Sequence, residues 1–262
     1  MSETDASNQS VKFERIGEHI AMITLDRPAV RNAVDAAVAA QIHRLVLQTE
    51  ADPTIRVGIF TATGTVFCAG SDLKEMSTVR DIRVPRVGGF AGFTETRRKK
   101  PWIAAVNGPA YGGGAEIVLA CDLCVIAESA HLSLPEVKRG LLALGGGTVL
   151  LPRRLPLAVA TEMLITGEPI TAQRAYELGL VNRVVPGEQV VGEAIKIAQK
   201  IADNSPNSVR ESLRLSRASL ELPLDEMWRQ NHKAMELLYY AADFKEGPRA
   251  FVEKRKAQWS DS

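Results

Sequence analysis

Apolar and polar positions alternate with a changing period along the chain, and each period predicts a different element. Residues 11–25 alternate around a turn at residues 17–19, which predicts a hairpin of two strands. From Asp35 onward apolar residues recur every three or four positions, so we expect a helix with Asp35 as its N-cap. Residues 57–61 form an apolar run that predicts a buried strand. Strands that alternate with helices in this way are typical of the mixed α/β class.

The middle and last parts of the chain have less regular patterns. Residues 77–92 combine charge, proline and glycine without a period, and they predict a flexible loop that is a candidate lid over a site. Residues 94–100 predict a helix ending in four basic residues, which we interpret as a solvated helix face rather than a phosphate contact. Beyond the last predicted strand the pattern is helical, with breaks at residues 205–206, 223 and 247–248.

The helical C-terminal part carries more large apolar residues than a lone appendage buries easily. They are Met227, Trp228, Met235, Leu237, Leu238, Tyr239 and Tyr240. Such a surface indicates packing against another subunit. We therefore divide the chain into a flexible tail at residues 1–10, a core at residues 11–204 and a helical oligomerisation region at residues 205–262.

The composition excludes several classes of protein. Of the 262 residues 45% are apolar and 24% charged, and the net charge of +1 gives no general electrostatic reason to bind nucleic acid or an anionic membrane. No apolar run approaches the roughly 20 residues of a membrane helix, and the polar N-terminus is unlike a secretory signal. We expect a cytoplasmic protein with neither a nucleic acid nor a membrane as partner.

The cysteines and histidines predict neither a disulfide framework nor a metal site. An odd count of three cysteines favours a reducing compartment. Cys121 and Cys124 form a C-x-x-C, but we interpret them as two small buried residues at a helix-to-strand junction. The four histidines have no metal-ligand spacing and no G-x-S-x-G elbow is present, so a metal site and a serine hydrolase are both disfavoured.

Residues 102–136 carry the densest chemical pattern. A buried strand and a turn lead to three consecutive glycines at residues 112–114, and then to an apolar helix with Glu116 in its first turn. Glycines before a helix let the backbone approach a ligand and leave unpaired N–H groups facing it. Glu136 follows Pro135 at the end of the next strand. Two acids and a donor-rich turn outline a site for acid–base chemistry on a carbonyl compound.

Each of these residues also has a purely structural explanation. Glu116 fits the preference for an acid at a helix N-terminus, worth about 0.3–1 kcal/mol. Glu136 fits the start of a surface helix, and the glycines fit a tight turn. The combination of all three favours a site. A second glycine triplet, residues 145–147, is predicted to start another helix that directs its dipole toward the same cavity.

Six motifs follow one another in order over nearly the whole chain. They are L-D-R-P…R-N-A, F-C-A-G-S-D-L-K-E-M, K-P-W-I-A-A-V-N-G-P-A-Y-G-G-G-A-E-I-V-L-A-C-D, L-P-E-x-x-x-G, T-A-Q-R-A-Y-E-L-G-L-V-N-R-V-V-P and E-G-P-R-A-F-V-E-K-R. Together they resemble the enoyl-CoA hydratase/isomerase (crotonase) superfamily. The resemblance implies a ClpP/crotonase-like α/β fold, with a spiral of ββα repeats that holds an acyl-CoA site. It also implies a homotrimer or a dimer of trimers held by the C-terminal helices.

The resemblance carries the functional residues of the family onto this chain by motif position. It implies that Ser71 and Gly113 supply the two N–H groups of an oxyanion hole, and that Glu116 and Glu136 are catalytic. It further implies that an acyl-CoA channel is lined by Ala29, Arg31, Ala69, Asp72, Leu73, Gly112 and Pro135. No cofactor is expected, because coenzyme A enters as part of the substrate.

The function expected from this resemblance is that of an enoyl-CoA hydratase in fatty acid β-oxidation. Such an enzyme adds water reversibly, in syn geometry, to a 2-trans-enoyl-CoA thioester. We expect Glu116 to be the base that activates water and Glu136 the acid that protonates C2.

Three alternatives stay open. An enoyl-CoA isomerase needs only one glutamate, so the presence of both disfavours it. The segment G-G-F-A-G-F-T-E that begins at Gly88 resembles the carnitinyl-CoA dehydratase branch. Residues 141–146 replace a Pro-Gly that hydratases usually have in the loop shaping the acyl pocket, which leaves the acyl group undetermined. A non-catalytic acyl-CoA-binding or RNA-binding relative is the third alternative, and low aromatic content (5%) counts against RNA.

Overall fold

The first elements of the fold form a hairpin that starts a larger sheet. The computed structural model describes residues 10–72 and 87–260. Strands β1 (Val11–Ile16) and β2 (Ile20–Leu25) pair antiparallel around a turn in which Gly17 has a positive φ of 61°, as the alternation predicts. The predicted tail at residues 1–10 lies outside the described residues except for Ser10.

The other strands complete two sheets. They are β3 (Val57–Ala62), β4 (Trp102–Val106), β5 (Ala110–Tyr111), β6 (Leu123–Ala127), β7 (His131–Ser133), β8 (Ile170–Thr171) and β9 (Arg183–Val185). In the described residues the larger sheet has the order β1-β2-β3-β4-β6-β9 and is parallel after the first hairpin, and β5-β7-β8 form a smaller sheet. Every residue of β2, β3 and β4 is buried, because helices and loops cover both faces of this parallel region.

The described helices alternate with the strands and then dominate the C-terminal part. They are α1 (Ala36–Ala51), α2 (Gly113–Ala120), α3 (Gly147–Arg154), α4 (Leu157–Thr166), α5 (Ala172–Glu177), α6 (Val190–Ala202), α7 (Pro206–Ala218), α8 (Leu224–Tyr239) and α9 (Ala242–Val252). Side-chain caps begin several of them, and the cap at Asp35 is the predicted one. Asp35 accepts from the N–H of Val38 at 2.8 Å, and Thr171 accepts from the N–H of Arg174 at 3.2 Å.

Helix α6 covers the parallel sheet with a row of small side chains. Its buried residues Ala194, Ala198 and Ala202 recur every four positions, so they lie on one face, and this helix contacts β3, β4 and β6. In the same core the ring of Trp102 lies directly on the backbone of Gly58. None of the helices in residues 10–72 and 87–260 is long and apolar enough to cross a membrane.

The prediction of a helix at residues 94–100 is wrong. Two of the four basic residues, Arg98 and Lys100, bind carbonyl oxygens, while Arg97 and Lys99 are exposed as expected. Arg98 donates to the carbonyl of Ala120 at 2.6 Å, and its guanidinium lies 4.0 Å from the ring centre of Phe93. Lys100 is only 5% exposed and donates to two carbonyl oxygens at the C-terminal end of α1, at 2.6 and 2.5 Å. Arg98 and Lys100 thus cap the C-terminal ends of α2 and α1. The backbone of the segment follows the path that these contacts require and is not helical.

Two further predictions need correction. The helix break expected at residues 247–248 does not occur, because α9 continues through Pro248. Buried Asp243 before the proline accepts a hydrogen bond from Ser205 at 2.7 Å, and Ala250 after it is buried, so tertiary contacts hold both sides. Of the flexible loop expected at residues 77–92, residues 89–92 form a buried, hydrogen-bonded turn and Val87 is exposed. Residues 77–86 lie outside the described residues.

We predict opposite effects on stability for two glycines. In Gly58→Ala the added methyl would lie 2.5–2.6 Å from ring atoms of Trp102, and such overpacking lowers the free energy of unfolding by about 1–3 kcal/mol. In Gly192→Ala, within α6, the methyl meets no atom within 4 Å and raises helix propensity by up to about 1 kcal/mol. Urea denaturation measures both. Equal destabilisation by the two variants would contradict this description of the core.

Candidate functional site

Two backbone turns meet at the centre of the site. The turn at residues 68–72 pairs with Val34, whose N–H donates to the carbonyl of Gly70 at 2.9 Å. On its other side the carbonyl of Cys68 accepts from the N–H of Tyr111 at 2.9 Å. A methyl group on Gly70, whose φ is +93°, would lie 3.2 Å from the nitrogen of Gly113. The two turns therefore pack backbone against backbone.

Each turn contributes one N–H group that the pairing leaves unused. Val34 donates to the carbonyl of Gly70 and accepts from the N–H of Asp72, the residues on either side of Ser71. In this parallel pairing the N–H of Ser71 points away from Val34. Gly113 is the first residue of α2, and its N–H has no acceptor within the helix. The structure thus brings together the two residues that the resemblance implies for the oxyanion hole.

Glu116 lies in the first turn of α2 and is almost completely buried, at 3% exposure. Its Oε1 accepts a hydrogen bond of 2.9 Å from the N–H of Gly147, the first residue of α3. A methyl group on Gly145 would overlap Oε2 of the same carboxyl group. The second glycine triplet therefore starts a helix, as predicted, and its N-terminus points at Glu116.

Glu136 lies beside the first glycine triplet, at Gly112. It lies in a short 3₁₀ turn (Pro135–Arg139), and a methyl group on Gly112 would be 2.9 Å from its Oε1. Its Oε2 is buried and has no hydrogen-bond partner among the described residues. Burial raises the pKa of Glu136 above its usual range, although its own backbone N–H and Arg139 lower it in part.

The glycine turn is also tied to the strand before Glu136. The N–H of Gly112 donates to the carbonyl of Ser133 in β7 at 2.8 Å, and the N–H of Glu116 donates to the carbonyl of Gly112 at 3.0 Å. Both acids are thereby fixed to the backbone around one residue. Glu116 belongs to α2, and Glu136 belongs to the 3₁₀ turn beside Gly112. Two carboxyl groups in different surroundings suit one base and one acid.

The residues implied for the acyl-CoA channel lie along the same turns, with one exception. The backbone N–H of Ala69 donates to the carbonyl of Arg31 at 3.0 Å, and the backbone N–H of Asp72 donates to the carbonyl of Val34 at 2.9 Å. Ala29 belongs to a 3₁₀ turn (Pro28–Val30) next to Arg31. Gly112 and Pro135 flank the two acids as described above. Leu73 lies outside the described residues. The channel assignment stays a prediction.

Sequence reasoning missed an aromatic residue at the site. The ring of Phe90 lies against Gly113, where an added methyl would overlap three ring atoms, and its Cβ lies against Gly145. The available signal was an aromatic residue between glycines, at Gly88, Gly89 and Gly92, within a segment that lacks any period. It also missed that the hydroxyl of Tyr111, next to the glycine turn, lies 2.8 Å from Nε2 of His131.

The cysteines have no reactive role in the described structure. Cys121 and Cys124 are free and buried where α2 leads into β6, as interpreted from the sequence. Burial raises the pKa of Cys68 and of Cys121 to about 12, and raises that of Cys124 as well, so the thiols stay protonated. Within residues 10–72 and 87–260 no group of three His, Cys, Asp or Glu side chains is arranged to hold a metal ion.

A wound parallel sheet with two backbone donors and two acids around one glycine turn defines the crotonase class of α/β proteins. The sequence profile of the enoyl-CoA hydratase/isomerase family matches residues 15–262, and the chain belongs to this family.

Individual relatives agree with this membership. A mevalonyl-coenzyme A hydratase of Aspergillus fumigatus is 40% identical over 252 residues, which are 93% of this chain and 92% of the relative. A carnitinyl-CoA dehydratase of Proteus mirabilis is 39% identical, over 90% of this chain and 93% of its own. The crystal structure of an enoyl-CoA hydratase from Mycobacterium tuberculosis superposes with a TM-score of 0.91 at 40% identity, covering 97% of this chain and 99% of that one. The predicted fold and the resemblance to the carnitinyl-CoA dehydratase branch are confirmed.

The raised pKa of Glu136 predicts a pH-dependent stability difference. Ionisation of this carboxyl group opposes folding, so its contribution is fully present below the unfolded-state pKa and is lost as the pH rises through the folded-state pKa. Glu136→Gln, which stays neutral, should therefore gain stability relative to the wild type between about pH 4 and pH 7. Urea denaturation at both pH values measures the difference. The exposed control Glu162→Gln should show no such trend, and parallel pH curves for Glu136→Gln and the wild type would contradict the prediction.

Proposed function

We propose that this protein is an enoyl-CoA hydratase, which adds water reversibly and in syn geometry to the double bond of a 2-trans-enoyl-CoA. The observation that carries the proposal is the meeting of two backbone N–H groups, at Ser71 and Gly113, with two carboxyl groups around one glycine turn. Neither N–H has a backbone acceptor among the described residues. Family membership supports a coenzyme A thioester as the substrate.

The two N–H groups would bind the thioester oxygen. Water adds to C3 only if negative charge moves onto that oxygen, and donors fixed in advance stabilise this charge without reorganisation. Loss of one such donor typically costs about 10²–10³ in rate. Both donors belong to the backbone, so their positions depend on the packing of Gly70 against Gly113 and not on any side-chain rotamer.

The two acids would divide the proton transfers between them. A carboxylate at Glu116 is stabilised by the N–H of Gly147 and by the N-terminal end of α3, which suits a base that orients and activates water. Glu136 has the opposite surroundings, because burial raises its pKa and no donor among the described residues reaches Oε2. A carboxyl group with a raised pKa suits the acid that delivers a proton to C2.

No cofactor enters this proposal. Water and the conjugated thioester contain all the atoms of the product, and coenzyme A arrives as part of the substrate. The same residues serve the reverse reaction, the dehydration of a 3-hydroxyacyl-CoA, since the acid and the base exchange roles. A cytoplasmic location and a role in fatty acid β-oxidation stay predictions of the sequence.

A dehydratase for a carnitinyl-CoA type of substrate is the second candidate. The relatives named as carnitinyl-CoA dehydratases support it, as does the segment G-G-F-A-G-F-T-E that begins at Gly88. A panel of 2-enoyl-CoA esters of increasing length, together with crotonobetainyl-CoA, separates the two. A kcat/KM highest for crotonobetainyl-CoA would select the second candidate.

We predict that Glu116→Gln and Glu136→Gln each lower kcat for crotonyl-CoA hydration by about 10²–10⁴, because each removes one proton-transfer group. Loss of absorbance of the conjugated thioester measures the rate. Glu162→Gln, a change of the same kind at an exposed position, should keep wild-type turnover.

The competing activities give different results in the same assay. Near-wild-type turnover in either active-site variant would remove that residue from the mechanism. Conversion of a 3-enoyl-CoA to the 2-enoyl isomer without hydration would favour an isomerase. Tight binding of crotonyl-CoA by the wild type without turnover would favour a non-catalytic relative.

The C-terminal helices support an oligomer as part of the proposal. Leu224, Trp228, Met235 and Tyr239 follow one another on α8 at intervals of four, seven and four residues, so they share one helix face, and all are exposed. An apolar stripe of this kind is typical of a surface that another subunit covers. We propose a homotrimer or a dimer of trimers.

Trp228→Glu should therefore lower the mass measured by sedimentation equilibrium from a multiple of three toward that of the 28.5 kDa chain. A charge at the centre of an apolar contact costs free energy that only the separated subunits avoid. Lys233→Glu, an exposed charge change away from the stripe, is the control and should leave the mass unchanged. A wild-type protein that sediments as a monomer would contradict the proposal.

A further inference from the structure

The segment from Gly88 to Thr96, called here the Phe90 turn, has an unusual backbone. Gly88, Gly89, Ala91 and Gly92 all have positive φ, at 78°, 73°, 57° and 62°. Alanine in the left-handed region is strained, and such strain persists only where the surrounding structure enforces it. The turn is therefore held in place by its neighbours.

Several hydrogen bonds hold this turn. The N–H of Phe90 donates to Oγ1 of Thr94 at 3.0 Å, and Oγ1 of Thr96 donates to the carbonyl of Gly92 at 3.0 Å. The same carbonyl of Gly92 accepts from Nδ1 of His43, in α1, at 2.8 Å. One helix of the core thus fixes the turn that carries Phe90.

The turn presents a single large side chain to the site. Phe90 is 5% exposed, and its ring covers the side of Gly113 on which a side chain would stand. A methyl group added to Gly145 would meet both the Cβ of Phe90 and Oε2 of Glu116, so these two atoms lie on the same side of Gly145. Gly113 and Glu116 are three positions apart on α2, so they share one face of that helix. The ring therefore lies on the helix face that bears both proposed functional groups.

We propose that Phe90 is a specificity-determining residue, whose ring forms the wall of the acyl pocket beside Gly113 and Glu116 and restricts the acyl group to short chains. The inference rests on the proposed function. A thioester oxygen at the N–H of Gly113 and a water held by Glu116 at C3 place the first three acyl carbons along this helix face. The ring occupies the adjoining space, where a longer chain would continue.

The test compares acyl groups of graded length in two variants. Phe90→Ala removes the wall, and Phe90→Leu keeps most of its volume. Isothermal titration calorimetry with butyryl-, hexanoyl- and octanoyl-CoA measures affinity, and kcat/KM is measured for the corresponding 2-enoyl-CoA esters. Each methylene that becomes buried is worth about a fourfold gain in binding. Phe90→Ala should therefore raise the octanoyl-to-butyryl affinity ratio at least about tenfold, with a smaller rise for Phe90→Leu.

Phe93→Leu is the matched control from the same turn. Phe93 is fully buried, and its ring lies 5.3 Å from those of Phe60 and Trp102 in the core. This variant should lower thermal stability and leave the ratio of affinities unchanged. Because the readout is a ratio between ligands, a reduced fraction of folded protein does not alter it.

An unchanged ratio in Phe90→Ala, or the same rise in Phe93→Leu, would overturn the inference. The outcome also separates the two proposals. A wild type that binds butyryl-CoA without hydrating crotonyl-CoA, together with the predicted ratio in Phe90→Ala, would refute the hydratase and support the wall. Hydration by the wild type with an unchanged ratio would refute the wall alone.

Discussion

The packing of one backbone turn against another is the constraint on which the site depends. At Gly70 an added methyl would stand 3.1 Å from the carbonyl oxygen of Tyr111, and at Gly114 it would overlap the carbonyl of Cys68. Only residues without a side chain allow this approach. Because the turns touch, Ser71 in one and Gly113 in the other lie near each other. The donors of the proposed oxyanion hole are thus a direct result of where glycine occurs in the sequence.

The two acids show how the same backbone creates unequal surroundings for like side chains. Glu116 meets the start of α3, where the N–H of Gly147 is directed at it. Glu136 meets the carbon side of Gly112, which offers no donor, and its Oε2 is buried without a partner among the described residues. Glycine therefore has two different roles here. It brings a donor close to one carboxyl group, and it lets the backbone pack closely against the other.

Local patterns predicted the parts of the fold that depend on local physics. The hairpin followed from alternation, and the helix after Asp35 followed from its period and its cap. Motif positions named candidate site residues, and the structure packs the turn before Ser71 against Gly113 and places Glu136 beside Gly112. Their roles stay a prediction. Period and propensity could not predict the left-handed path at Ala91 or the carbonyl oxygens that Lys100 finds at the end of α1. These features depend on tertiary neighbours, as does the bond between Glu116 and Gly147 across 31 residues.

The eight-residue helix α2 has a consequence for the order of folding. A helix of this length is not stable alone, so it depends on partners elsewhere in the chain. At its C-terminal end Arg154 donates to the carbonyls of Leu119 and Cys121 at 3.0 Å each. At its N-terminal end it needs the turn at Gly70. The final position of α2 therefore depends on contacts with residues on both sides of it in the sequence, at Gly70 and at Arg154. Such non-local contacts close loops of more than 30 residues, so the site is complete only when these separate parts of the chain have met.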